Sequence, residues 1–154
     1  MISLLLLSIG FIVISAIMAA IDAALLSVTR PEISEMIVDR RWGAQRLEKL
    51  KARLARALVV IVILTNAINV IGPVVVSQRA LAIFGSQAIG ITIAALTIGT
   101  IIFSEIVPKA LGAHYAPIIS RVSAPFVHWM TVGLHPIVVA LESLTGFLKR
   151  GRRD

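Results

Sequence analysis

Apolar residues fall in long runs separated by short charged stretches, a pattern of membrane spans rather than of surface helices or alternating strands. Ile2 to Val28 is 27 residues with one ionisable side chain, Asp22. At 1.5 Å rise per residue such a helix exceeds the roughly 20 residues needed to cross hydrocarbon. No basic residue precedes Arg30, so this run is expected to stay as a helix, although Ala19, Ala20 and Ala23 mimic a signal-cleavage site. A second run covers 57–76 and a third 88–107, each long enough to span. The link between them carries Arg79 as its one basic residue.

From Thr29 to Arg56 the character changes. Arg30, Arg40, Arg41, Arg46, Lys49, Lys51, Arg53 and Arg56 are answered by Glu32, Glu35, Asp39 and Glu48. Pro31 suits a helix start, and Leu47, Leu50, Leu54 and Leu58 keep one face apolar. This predicts one or two amphipathic helices against the membrane, with a solvated loop as the alternative. Residues 111–148 are apolar but interrupted by Pro117, Arg121, Pro125, His128, His135, Pro136 and Glu142. Short interfacial or partly inserted helices are expected there, with Tyr115 and Trp129 at headgroup depth. A kinked fourth span is the alternative.

Composition agrees. Of 154 residues 58% are hydrophobic and 15% charged, against globular norms of about 45–50% and 25%, which excludes a soluble domain. The net charge of +7 could suggest nucleic acid, but the basic residues cluster in flanks between apolar runs, so lipid and not nucleic acid is the expected partner. The Arg30–Arg56 segment, Lys109 and the Lys149–Arg153 cluster should face the cytosol, giving an inner or plasma-membrane protein with its N-terminus outside and its C-terminus inside. With no cysteine, only oxygen and imidazole ligands are available.

Polar groups inside the apolar runs are the candidate chemistry. Ser8, Ser15 and Asp22, spaced by seven, share a face of the first helix. Asn66 and Asn69 share a face of the second, and Gly72-Pro73 follows; Pro73 cannot donate to the Asn69 carbonyl. Pro108 does the same to Ser104, next to Glu105, and Thr97 lies two turns before Ser104. Two broken helices would thus each offer an unpaired backbone oxygen beside an amide or carboxylate, as helix breaks in transporters do. The set Ser15, Asn66, Asn69, Ser104 and Glu105 is all oxygen, which suits Mg²⁺ or Na⁺ and not zinc or copper. Spacing alone leaves open a second reading, in which these groups only knit helices together. Asn66 and Glu105 stand at different distances from the inner ends of their runs, a mismatch near ~10 Å, so the third helix must break or sink for them to meet. His128 and His135 are expected on one helical face in a packing role. No nucleophile–base pair has recognisable spacing, so an enzyme is not expected.

Thr65-Asn66-Ala67-Ile68-Asn69-Val70 and Phe103-Ser104-Glu105-Ile106-Val107-Pro108-Lys109-Ala110, with Asp22-Ala23-Ala24-Leu25-Leu26-Ser27 ending the first helix, make the chain resemble the transmembrane domain of the CNNM/CorC magnesium transporters. The resemblance covers nearly the whole chain. It implies an all-α integral membrane domain of three transmembrane helices plus amphipathic juxtamembrane helices, assembled as a homodimer. It further implies a dehydrated Mg²⁺ in a cytosol-facing cavity, export coupled to Na⁺, and Asn66, Asn69 and Glu105 as ligands. Ser15 and the Ser104 carbonyl would complete the site, with Asp22 as a second acidic group near its mouth for Na⁺. Three positions depart from the family pattern: Asp22 replaces Glu, Ala19 often serine, and Ser104 Gly. Ser15, one turn from Ala19, is the natural substitute for a hydroxyl there. The family usually continues into cytosolic CBS-type regulatory domains, and since this chain stops at Asp154, nucleotide regulation is expected to be absent from it.

Overall fold

A computed structural model describes residues 2–86 and 89–150, with side chains to residue 143. Met1, the start of the third run at Ala88, and the side chains of the Lys149–Arg153 cluster lie outside the described residues. The described chain is helical: α1 (Ile2–Ser27), α2 (Arg30–Val38), α3 (Ala44–Ala52), α4 (Leu54–Phe84), α5 (Ile89–Gly99), a π-helical segment (Thr100–Ile106), α6 (Val107–His114), α7 (Ala116–Gly133) and α8 (His135–Arg150). Three stretches are long and apolar enough to cross a membrane: Ile2–Ser27, Leu54–Phe84 and Ile89–His114. The protein is an all-α membrane protein.

α1 is the hub, packing against α4, the π segment, α6 and α7. Two close approaches set this arrangement. A Cβ on Gly112 would collide with the Ala20 carbonyl oxygen, so α6 meets the backbone of α1 where only hydrogen fits. A Cβ on Gly72 would overlap the Phe11 ring, which seats α1 against α4. Below the spans, Leu25, Val28, Ile33, Met36, Leu47 and Ala57 join Ala124 and Val127 in one buried cluster. The two amphipathic helices are therefore clamped between the end of α1 and α7. Leu47 and Leu50 of the expected apolar face are buried, and α3 lies directly on α7. Lys51 crosses from α3 to cap α1, its Nζ donating to the Leu25 carbonyl at 2.8 Å, where a helix C-terminus leaves carbonyls unpaired and favours a cation.

The expected break at Gly72-Pro73 does not occur. α4 runs without interruption for 31 residues with Pro73 inside it. Proline's φ is already helical, and one missing hydrogen bond among so many does not end a helix whose neighbours hold it. The third span does change geometry, but before Pro108 rather than at it. Over Thr100–Ile106 the backbone widens to a π-helix, and the Val107 N–H bonds to Ile102, five residues back. Both helices also extend beyond the runs 57–76 and 88–107, because residues 54–56 and 77–84 continue one and residues 108–114 the other. α7 and α8 meet at a 67° bend, which is either a broken fourth span or a partly inserted pair.

Candidate metal centre

One cavity of about 190 Å³ gathers polar residues from all three spans: it is lined by Ala19 and Asp22 of α1, Ile61, Val62, Thr65, Asn66 and Asn69 of α4, Glu105 of the π segment and Lys109 of α6. Helical spacing explains each contribution. Ala19 and Asp22 are three apart, Thr65 and Asn69 four apart, and Glu105 and Lys109 four apart, so each helix shows one stripe. The depth mismatch is resolved by the way the third span ends. Continuation through the π segment to His114 places Glu105 nine residues from that end, while Asn66 lies twelve from Leu54, a difference of about 5 Å at 1.5 Å per residue. Asp22 lines the same cavity as Asn66, Asn69 and Glu105.

Two expected residues, Ser15 and Ser104, do not line this cavity. Ser15 is fully buried, and its hydroxyl donates to Asn69 Oδ1 at 2.6 Å, outside the cavity wall. It orients the amide and leaves Oδ1 a second lone pair. No hydroxyl stands at Ala19, and Ser15 does not reach the cavity in its place. The Ser104 hydroxyl donates to the Ile12 carbonyl at 3.0 Å, tying the π segment to α1. Ser104 does not line the cavity, and with pairing shifted to five residues back, counting four from Pro108 no longer singles out its carbonyl. Ser8 and Thr97 bond to carbonyls of their own helices, Leu4 and Ile93.

The donor set fits a hard cation. Asn66, Asn69, Asp22 and Glu105 supply amide and carboxylate oxygens, and Thr65 Oγ1 is buried without a hydrogen-bond partner among the described residues. A buried hydroxyl without a partner is costly, and a ligand in the cavity would satisfy it. No group of three His, Cys, Asp or Glu side chains clusters among the described residues, so a site here must draw on amides and hydroxyls. His128 and His135 sit on different helices, either side of the α7–α8 bend, and not on one helical face.

The sequence profile described as the cyclin M transmembrane N-terminal domain, CNNM, matches residues 6–153. The chain belongs to the CNNM family. Its relatives include the UPF0053 protein sll1254 of Synechocystis, 30% identical over 139 residues, 90% of this chain and 40% of that protein. The UPF0053 inner membrane protein YfjD of Escherichia coli is 23% identical over 137 residues, 89% of this chain and 32% of YfjD. A chloroplastic DUF21 domain-containing protein of Arabidopsis thaliana is 30% identical over 102 residues, 65% of this chain and 16% of its own length. The chain thus spans less than half of each.

Within this CNNM domain the cavity adds two residues to those the sequence singled out. Thr65 had a signal, since it is a hydroxyl beside Asn66 within an apolar run. Lys109 reads as a cytosolic flanking charge until its spacing of four from Glu105 puts it on the cavity face.

Proposed function

We propose that this domain moves Mg²⁺ across the membrane through the cavity between α1, α4 and the π segment. One observation carries the reading: two carboxylates, two amides and a hydroxyl without a partner among the described residues converge from three spans on a single cavity. Asn66, Asn69, Glu105 and Thr65 are the direct ligands, and Asp22 shares the charge. Ser15 acts by orienting Asn69. Mg²⁺ sheds water reluctantly, so in a dehydrated site these oxygens must replace the shell that the ion gives up. Lys109 lies within electrostatic reach of Asp22 and serves as a tethered cation that the entering ion displaces. Movement between outward and inward access occurs at the π segment, since α4 is continuous at Pro73. Export coupled to Na⁺ and assembly as a homodimer follow from the family resemblance. The basic Arg30–Arg56 face is cytosolic and the N-terminus external.

A second reading is favoured by the Ser15–Asn69 and Ser104–Ile12 hydrogen bonds, which hold helices together without any ion. In it the domain is a non-transporting anchor or assembly subunit. Thermal unfolding with and without millimolar Mg²⁺ separates the two. A site predicts that Asn66→Ala and Glu105→Gln each abolish the Mg²⁺-dependent rise in melting temperature while the metal-free protein stays close to the parent, since one interhelical bond is worth about 0.6 kcal/mol. Glue predicts lower stability in both conditions with the Mg²⁺ response intact.

A further inference from the structure

A second cavity, of about 550 Å³, opens where the end of α3 and the start of α4 face the α7–α8 bend. Its chemistry differs from that of the cation cavity. Lys49, Arg53 and Arg56 line one wall and His128 and His135 the other, and none of the described residues lining it is acidic. The apolar part of its lining comprises Leu50, Ala57 and Val138, which are buried, and Val132, which is exposed. Arg56 is held in a two-pronged pair with Glu142 of α8, Nε to Oε1 at 2.7 Å and Nη2 to Oε2 at 3.0 Å, which pins α8 beside α4 and keeps the cleft formed. Lys49 and Arg53 then carry positive charge that no carboxylate among the described residues pairs.

Position narrows the ligand. Arg53 and Arg56 directly precede the apolar run that starts at Ala57, so the basic rim stands at the depth where a span leaves hydrocarbon. A basic rim above an apolar floor, between helices at the membrane boundary, matches a phosphate with acyl chains attached. A soluble anion would use the rim and leave the exposed Val132 uncovered.

We propose that this cleft binds an anionic phospholipid, its phosphate held by Lys49 and Arg53 with the imidazoles of His128 and His135 closing the other side, and its chains lying along the exposed Val132. The proposal does not depend on the cation reading. Binding of such a lipid would couple α3, and through Lys51 the end of α1, to the α7–α8 bend.

The test is thermal unfolding of the whole chain in bicelles of phosphatidylcholine with or without phosphatidylglycerol, alongside glycerol 3-phosphate added to pure phosphatidylcholine. Phosphatidylglycerol should raise the melting temperature by several degrees, and Lys49→Gln/Arg53→Gln should lose that rise while melting like the parent in phosphatidylcholine. Arg56 is left in place because its loss would unpin α8. An equal rise from glycerol 3-phosphate would overturn the proposal in favour of a soluble phosphate ligand. A double variant that keeps the rise, or no rise in any lipid, would overturn it as well; cross-linking of Arg53→Cys between two chains in the latter case would assign the cleft to a second copy.

Discussion

Thr29 shows how one residue sets where a helix begins in this chain. Its hydroxyl accepts from the Glu32 N–H, and the Glu32 carboxylate accepts from the Thr29 N–H and hydroxyl, both at 2.7 Å. This reciprocal box turns the chain from α1 into α2. The backbone N–H of Thr29, then its hydroxyl, hold the Glu32 carboxyl below its ordinary value of 4.5. A carboxyl lowered in the folded state contributes stability above that ordinary value and loses it as pH falls through the folded value. The melting difference between the parent and Glu32→Gln should therefore shrink as pH is lowered from about 7 to 3, while Thr29→Ala costs about 1 kcal/mol at neutral pH. A Glu32→Gln difference that stays constant across that range would contradict the box. Thr65 is the opposite case, a buried hydroxyl that the described fold leaves without a partner. It was visible in the sequence as a hydroxyl in an apolar run, but only burial distinguishes it from Thr97, which bonds to its own helix.

Among the elements, α4 and the third span received the same sequence signal and answered it differently. Each has a proline near its polar residues, yet α4 passes through Pro73 while the third span widens ahead of Pro108. Local pattern cannot separate the two, because the difference comes from what each helix packs against. α4 is seated on α1 through Gly72 and Phe11, whereas the π segment is tied to α1 by Ser104 and continues into α6, pressed against Ala20 through Gly112. Gly112→Ala should consequently destabilise the fold by roughly 1–3 kcal/mol, since a backbone carbonyl cannot step aside. Pro73→Ala should leave melting unchanged or raise it, as it restores a helical donor. Chemical or thermal unfolding of the two variants checks both expectations, and the reverse ranking would return the hinge to Gly72-Pro73.

On the scale of the whole molecule, most of the span surface faces outward: 28%, 17% and 11% of the apolar windows of the three spans are buried within the chain. Lipid or a second copy must cover the remainder, and α5, with Leu96 as its one buried residue among those described, is the barest face. The arrangement of charge predicts sidedness. A membrane-impermeant thiol reagent should label Arg46→Cys from the cytosolic side and Ser86→Cys from the other, and labelling of both from one side would exclude three crossings. Amino-acid order alone determined the spans, the amphipathic α2 and α3 and the identity of the oxygen-bearing residues, because crossing hydrocarbon demands a minimum apolar length and makes every polar interruption conspicuous. Only the tertiary structure decided that Asp22 shares a cavity with Asn66, Asn69 and Glu105, that Ser15 and Ser104 serve as ties, that Lys109 completes the wall, and that His128 and His135 flank a bend. Those facts depend on the depth at which separate helices stop, on a shift to π pairing, and on glycine contacts between residues as far apart as Ala20 and Gly112. No periodicity within a single helix carries that information, because side-chain spacing fixes a face and leaves open which neighbour the face will meet.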